Sequence, residues 1–150
     1  MRLTTKGRYA VTAMLDIAMH GPAAPVSVQE IAHRQGISAP YLEQIVGRLK
    51  RQGLLCSHRG PGGGYELGNA AAEISIAAII SAIGEGVDAT RCGGKADCRE
   101  GHVCITHNLW VDLSSQIDQF LDSISLADLV QKTPGRSPEQ ANRITATLLG

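Results

Sequence analysis

The sequence has no long apolar run and few aromatic side chains. Phe, Trp and Tyr make up 3% of the 150 residues, although 43% are hydrophobic, which is enough for the core of one domain with an appendage. The longest mostly apolar stretch, residues 74–83, is too short to span a bilayer and contains two serines. The first residues, MRLTTK, lead into no apolar signal core. We therefore expect a cytoplasmic protein that does not contact a membrane.

Motifs of catalysis are also missing. The glycine-rich segment RGPGGG has no GK[ST] ending and no helix directly after it, so a phosphate-binding loop is not supported. No pair of carboxylates stands out, and no nucleophile is paired with a base in a recognisable pattern. The sequence therefore does not indicate an enzyme.

The whole chain has no net charge, but its N-terminal and C-terminal parts carry opposite net charges. The 14 basic and 14 acidic residues cancel. Residues 1–60 contain eight Lys/Arg and three Asp/Glu, a formal charge of +5, and the remainder carries −5. This asymmetry indicates that the N-terminal part binds a polyanion.

The N-terminal part has the pattern of a helix-turn-helix. Helices are predicted over residues 5–20 and 27–35, and the second begins with the capping-box spacing SVQE. Ser38 is predicted to cap a third helix that ends at Gly53. This helix has an apolar face and an opposite polar, basic face (Leu42, Ile45, Val46 and Leu49 against Glu43, Gln44, Arg48, Lys50 and Arg51). Such a helix after a short glycine turn is typical of DNA recognition.

A hairpin is predicted after the third helix. Residues 54–58 and 65–67 have the composition of short strands around a glycine-rich tip, which would complete a winged helix. Glycines let the tip approach DNA closely, and Arg59 supplies a charge suited to a narrow minor groove. We expect Cys56, on the first strand, to be a small buried or half-buried side chain.

The rest of the chain is predicted to hold the dimer contacts. A short helix that Ser75 caps should run to about Gly84, followed by a loop over residues 86–103 and a long helix over residues 106–124. Apolar residues recur along the long helix at alternating spacings of three and four, which predicts a two-helix seam (Trp110, Leu113, Ile117, Phe120 and Ile124).

Three of the four cysteines fall in the predicted loop. Five residues separate Cys92 from Cys98 and Cys98 from Cys104, and His107 follows. Zinc ribbons prefer CxxC pairs, which are missing, whereas three spread thiolates and one imidazole supply the four ligands that a [2Fe–2S] cluster needs. Thiol redox chemistry without a metal, zinc in the same ligands, and a loop without any ligand remain open at this point.

These elements predict a mainly α fold with a small β-hairpin. Residues 1–68 should form a winged helix-turn-helix DNA-binding domain. Residues 69–130 should form the cluster-binding loop and the dimerisation helices, and residues 131–150 a flexible tail.

Four segments together resemble the IscR family of iron–sulfur cluster regulators. They are MRLTTKGRYAVTAMLDIA, ISAPYLEQIVGRLKRQGL, RGPGGGYELG and the loop with three cysteines and His107, and the resemblance extends from Met1 to about Val130. It implies a homodimeric winged-helix regulator, mainly a repressor, that binds operator DNA and carries one [2Fe–2S] cluster per subunit. It also implies control of cluster-assembly genes, with cluster-assembly scaffold proteins as further partners.

The resemblance also implies roles for particular residues. The cluster ligands would be Cys92, Cys98, Cys104 and His107. Glu43 and Gln44 would contact bases, and Arg59 would enter the minor groove. The candidate DNA-binding residues lie at the N-terminus, on the third helix and at the wing tip (Arg2, Lys6, Ser38, Pro40, Tyr41, Glu43, Gln44, Arg48, Lys50, Arg51, Arg59, Gly60 and Gly62).

Pro40 departs from the family pattern, since IscR-like recognition helices commonly carry Ser there. Proline has neither a hydroxyl nor a backbone N–H, so a polar contact is lost and the DNA sequence that is recognised stays open.

Alternatives to an IscR-like regulator differ in their ligands. A sister group that senses nitric oxide, here taken with a [4Fe–4S] cluster, shares the cysteine spacing but takes an acidic fourth ligand from the first helix. This sequence has no carboxylate before Asp16, whereas His107 is present, which favours the IscR-like interpretation. A cluster carrier and a metal-free thiol regulator are the remaining alternatives.

Overall fold

A computed structural model describes residues 4–86 and 105–133 of the chain. In these ranges the elements are α1 (Thr5–His20), α2 (Val28–Gln35), α3 (Ala39–Arg51), β1 (Leu55–His58), β2 (Gly64–Leu67), α4 (Ile76–Ala82), α5 (His107–Ser123) and α6 (Leu126–Lys132), with a 3₁₀ turn at Ala71–Glu73. The mainly α fold with a small β-hairpin is confirmed. The predicted loop over residues 86–103, apart from Gly86, and the predicted tail lie outside the described residues, apart from residues 131–133.

The centre of the molecule is α1, which packs against α2, α3, α4, α6 and β2. Its apolar stripe is fully buried at Ala10, Ala13, Met14 and Ile17. Two alanines in this stripe let the neighbouring helices approach closely, and each larger aliphatic side chain stabilises the fold by roughly 1.5–3 kcal/mol through burial. This stripe is therefore the core face of the first helix.

The helix-turn-helix forms as its capping signals predict. Ser27 Oγ accepts from the Glu30 N–H at 3.2 Å, and Glu30 Oε2 accepts from the Ser27 N–H at 2.7 Å. Gly36 ends α2 in the left-handed conformation at φ 66°, which glycine adopts without a steric penalty. The apolar face of α3 is fully buried, as predicted (Leu42, Ile45, Val46 and Leu49).

The prediction that the Ser38 side chain caps α3 is wrong. Ser38 occupies the N-cap position, but its hydroxyl makes no capping hydrogen bond. A capping oxygen accepts from the N–H of the second or third helical residue; Pro40, the second residue of α3, has no N–H, and the N–H of Tyr41, the third, makes no bond to the Ser38 hydroxyl. The exposed Ser38 hydroxyl therefore lies at the start of α3 without serving the helix.

The C-terminal elements close the core from the other side. Ser75 Oγ accepts from the Ala78 N–H at 3.0 Å, so Ser75 caps α4 as predicted. The long helix α5 ends at Ser123, because Ile124 is extended and its carbonyl accepts from the Ile76 N–H at 3.0 Å. This bridge holds the end of α5 against the start of α4.

Helix α6 was not predicted as a separate element. Ser125 and Asp128 form a capping box, with bonds of 3.1 and 3.0 Å between each side chain and the other residue's backbone N–H. Leu126 and Val130 are buried, and α6 packs on α1. The spacing from Ser125 to Asp128 is the signal that would have identified this helix. None of the helices in the described ranges has the length and apolar character needed to cross a membrane.

Candidate nucleic-acid interface and sensor region

The outer face of α3 is exposed to solvent at both ends of the helix. Ser38, Pro40, Glu43 and Gln44 are exposed around its N-terminal turns, and Lys50 and Arg51 are exposed at its C-terminal end. Because base-reading residues of a recognition helix lie near its N-terminus, Glu43 and Gln44 are in the position to read base edges. The basic end is in the position to attract phosphate.

An aromatic contact orients the start of α3. The rings of Tyr9 in α1 and Tyr41 in α3 meet edge to face, with centroids 5.7 Å apart at an interplanar angle of 77°. Both side chains are half-buried, so Tyr41 packs mainly on the protein. Lys6, one turn before Tyr9, is also half-buried.

Arg48 is exposed like Lys50 and Arg51, but its guanidinium makes a hydrogen bond to the end of another helix. Nη1 donates to the carbonyl oxygen of Ile83 at 2.7 Å. Ile83 is the C-terminal capping residue of α4. Sequence reasoning placed Arg48 with the solvent-facing DNA contacts and gave no sign of this bond.

The predicted wing is present. Strands β1 and β2 pair antiparallel with Leu55 opposite Leu67 and His58 opposite Gly64. The tip turns through two left-handed glycines, Gly60 at φ 96° and Gly62 at φ 74°. Arg59, Gly60 and Gly62 are exposed there, so the charge is available to a ligand at the tip.

The second strand of the wing is pinned to the helix-turn-helix by Val26. The Val26 N–H donates to the Tyr65 carbonyl at 2.9 Å, and the Tyr65 N–H donates to the Val26 carbonyl at 2.7 Å. Val26 directly precedes the α2 cap, so this bridge sets the wing beside the helices. Sequence patterns did not reveal it, because a single bridging residue has no periodicity.

The expectation that Cys56 is buried or half-buried is wrong, since Cys56 is exposed and unpaired by disulfide. Side chains alternate along β1, and buried Leu55 sends its neighbour to the open face. Glu66 lies opposite Cys56 and pairs with His58, whose Nε2 is 2.6 Å from Glu66 Oε1. Both partners are nearly half exposed, so this pair adds little to stability.

A buried carboxylate joins α1 to α2. Asp16 is 1% exposed, and its two oxygens accept from Arg34 Nη2 at 2.7 Å and Arg34 Nε at 3.0 Å. Gln35 Nε2 adds a third bond at 2.8 Å. Burial by itself raises the pKa of the Asp16 carboxyl, but the bonds from Arg34 and Gln35 outweigh burial and hold the pKa below its ordinary value. The carboxylate therefore stays charged and holds α2 in place.

Of the four predicted cluster ligands, His107 is the one within the described residues. It is the first residue of α5 and is 8% exposed. Cys92, Cys98 and Cys104 lie outside the described residues, as does Arg2. Within residues 4–86 and 105–133, no group of three or more His, Cys, Asp or Glu side chains is placed to hold a metal.

The predicted seam on α5 divides into two parts. Leu113, Ile117 and Ile124 are half-buried, and α5 packs on α4. Trp110 and Phe120 are 37% and 63% exposed, next to Leu109 at 57%. His107 is the one buried side chain of the 17-residue helix α5, and several of its large apolar side chains are in contact with water.

Comparison with known proteins decides what kind of regulator this geometry belongs to. The model of the Rrf2 family, described as iron-dependent transcriptional regulators, matches residues 3–132. The chain belongs to the Rrf2 family. It is 58% identical to the HTH-type transcriptional regulator IscR of Serratia proteamaculans over 130 residues, which cover 87% of this chain and 79% of that protein.

Solved structures of Rrf2-like regulators share the fold. T. potens IscR superposes with a TM-score of 0.73 at 37% identity, covering 88% of each chain. CymR, the global cysteine regulator of B. subtilis, superposes with a TM-score of 0.76 at 32% identity, covering 89% of this chain and 98% of that one. This Rrf2 protein is therefore an IscR-like, DNA-binding transcriptional regulator and not an enzyme. Because CymR is named for cysteine, the shared fold does not by itself specify the signal.

Proposed function

We propose that this Rrf2 protein is a homodimeric regulator, mainly a repressor, that senses iron–sulfur cluster supply through a [2Fe–2S] cluster and controls cluster-assembly genes. The observation that carries the proposal is the position of His107. It is a buried imidazole at the start of α5, directly after the segment with three cysteines. Three thiolates and an imidazole are a donor set that suits such a cluster.

In this proposal Cys92, Cys98, Cys104 and His107 would hold the cluster, and the fraction of subunits that carry a cluster would follow the cluster supply. A neutral histidine ligand is held less tightly than an anionic thiolate, so the cluster should be labile. Cluster-assembly scaffold proteins are the partners that would deliver it. The cluster changes DNA binding only if the two forms bind DNA with different free energies.

The arrangement of Asp16 argues against the nitric-oxide-sensing alternative. That alternative needs an acidic ligand from the first helix, and Asp16 is the one carboxylate within α1. Asp16 is buried and accepts three hydrogen bonds from Arg34 and Gln35. Releasing it to a metal would leave the Arg34 guanidinium without its partner, so His107 is the better candidate for the fourth ligand.

The proposed dimer follows from α5. Leu109, Trp110 and Phe120 present apolar surface to water in the single chain, and a second copy would cover it along a two-helix seam. Two winged heads related by a two-fold axis would then meet two half-sites of one operator. Glu43, Gln44 and Arg59 are the side chains that we assign to sequence discrimination.

Anaerobic purification followed by iron and sulfide analysis tests the proposal. We expect two irons and two sulfides per subunit, the content of a [2Fe–2S] cluster, and loss of both in His107→Ala. His33→Ala is the matched control, because His33 is exposed on α2, and it should keep the full content. Four irons per subunit would support the nitric-oxide sensor instead, and a metal-free protein that binds DNA would support thiol chemistry.

A further inference from the structure

We propose that Arg48 is a positioning residue that sets the recognition helix α3 relative to the sensor half of the protein, and not a phosphate contact. The inference rests on the proposed function above in its sensing part. Its starting observation is the 2.7 Å bond from Arg48 Nη1 to the Ile83 carbonyl.

The Ile83 carbonyl needs a donor from outside its own helix. Helix α4 ends with left-handed Gly84 at φ 76°, whose N–H donates to the Ser81 carbonyl at 3.0 Å. The Glu85 N–H donates to the Ile80 carbonyl at 3.2 Å. These bonds cap earlier carbonyls of α4, whereas Ile83 receives Arg48. A cation at this end is also favoured by the helix dipole.

The bond joins two elements that have different tasks. Arg48 lies on α3, whose outer face carries Glu43 and Gln44. Helix α4 packs against α5, and α5 begins with His107. A continuous path of packed elements therefore leads from the predicted cluster ligand to the recognition helix, and Arg48 is its polar link.

We call the hydrogen bond between Arg48 and the Ile83 carbonyl a strut, because it spans an open cleft between two helices. An open cleft of about 310 Å³ separates the C-terminal ends of α3 and α4, and its lining includes Arg51, Gln52 and Ser81 beside Arg48. Arg48 bridges this cleft to α4. Gly84 is close as well, since a Cβ built there would be 3.4 Å from Arg48 Nη1. A displacement of the C-terminal end of α4 would therefore move or break the hydrogen bond of the Arg48 side chain.

The salt dependence of DNA binding separates a strut from a phosphate contact. The full-length dimer is titrated at several KCl concentrations with a duplex that the wild-type protein selects from a randomised pool. Loss of one phosphate contact lowers the salt slope by about 0.9, whereas loss of a strut leaves the slope unchanged. For Arg48→Gln we expect roughly 2- to 30-fold weaker binding at the wild-type slope, the range for residues that act without touching the ligand.

Arg51→Gln is the matched control, because it removes the same charge from the same helix and leaves the bond to Ile83 intact. Its loss of affinity should be smaller than that of Arg48→Gln. A slope reduced by about 0.9 in Arg48→Gln, with a loss no greater than in Arg51→Gln, would overturn the proposal.

Gly84→Ala approaches the same strut from the other side, which keeps the proposal testable where Arg48→Gln folds poorly. Alanine at this left-handed position strains the end of α4 and places a methyl group in contact with the guanidinium, without adding or removing charge. We expect weaker binding to the selected duplex at an unchanged salt slope. Wild-type affinity in this variant would contradict the strut.

The effect of the cluster on DNA binding is measured as the ratio of two affinities for the selected duplex, that of the cluster-loaded protein and that of the cluster-free protein. We expect Arg48→Gln to bring this ratio closer to one than it is in the wild type. A wild-type ratio of one would reject cluster sensing, and the salt-slope comparison would still decide the role of Arg48.

Discussion

Arg34 of α2 donates two hydrogen bonds to the buried Asp16 of α1, at 2.7 and 3.0 Å. The contact sets the first helix of the helix-turn-helix against the central helix of the fold. The Asp16 side chain is fully buried, whereas the Arg34 side chain keeps 30% of its surface exposed. Removing Arg34 would therefore leave a charged carboxylate without its main partner.

We expect Arg34→Met to lower the free energy of unfolding by about 2–3 kcal/mol at pH 7, less than for a fully buried pair because Arg34 is partly exposed. Urea unfolding of the cluster-free protein measures the loss. Arg51→Met is the control, since Arg51 is exposed on α3, and it should change the free energy by less than about 0.5 kcal/mol. Equal losses in the two variants would contradict the structural role of the pair.

The same network predicts a pH dependence of stability. Burial raises the pKa of Asp16, but the bonds from Arg34 and Gln35 bring the net pKa below its ordinary value of 3.8. A carboxyl with a lowered folded-state pKa contributes its stability above pH 3.8 and loses it as the pH falls through the folded-state pKa. The wild type should therefore lose stability faster than Asp16→Asn as the pH is lowered from 5 to 3 in urea unfolding. Parallel curves would show that Asp16 titrates normally.

The two hydrogen bonds between Val26 and Tyr65 anchor the wing, and they predict that alanine substitution destabilises the protein by different amounts at two glycines of the hairpin. A Cβ at Gly64 would lie 2.5 Å from the Val26 carbonyl carbon and oxygen, whereas nothing lies within 4 Å of a Cβ at Gly62. Gly64→Ala should disrupt the Val26–Tyr65 bridge and lower stability by roughly 2–3 kcal/mol. Gly62→Ala should cost roughly 1–2 kcal/mol from its left-handed backbone alone. Thermal unfolding measures the loss of stability in both variants. A larger loss in Gly62→Ala than in Gly64→Ala would rule out the anchor.

The apolar surface of α5 predicts a specific effect on assembly. Phe120 and Val111 are both exposed, but nine residues place them roughly 180° apart around the helix. Phe120→Glu should raise the dimer dissociation constant at least tenfold in sedimentation equilibrium, because it puts a charge in the proposed seam. Val111→Glu should leave the dimer intact. Dissociation by Val111→Glu alone would place the interface on the other side of α5.

The exposed thiol on the wing predicts a harmless substitution. Cys56 lies on the open face of β1, away from the core. Cys56→Ser should change the unfolding free energy by less than about 0.5 kcal/mol and leave the iron content per subunit at the wild-type value. Iron analysis of the anaerobically purified variant checks this. Loss of iron would mean that Cys56 contributes to the cluster.

The sequence by itself predicted helices α1 to α5 and the resemblance to the IscR family, but not helix α6. The bounds of α1, the capping box of α2 and the buried face of α3 follow from local periodicity and capping, which act within a few residues. The wing follows from its glycines, and the candidate ligand set follows from cysteine and histidine spacing together with the family resemblance. Each of these patterns involves residues that are close together in the sequence, so it can be recognised without the tertiary structure.

Only the tertiary structure decided which side chains have partners inside the protein. Arg34 and Arg48 look like surface charges in the sequence, yet one binds Asp16 and the other binds the Ile83 carbonyl. Cys56 turned out to be exposed, because the side to which a strand residue points depends on what packs against the sheet. Such contacts join residues 18 to 35 positions apart, and no local pattern specifies them. The packing of α1 against α2, and of α3 and α5 against α4, determines them.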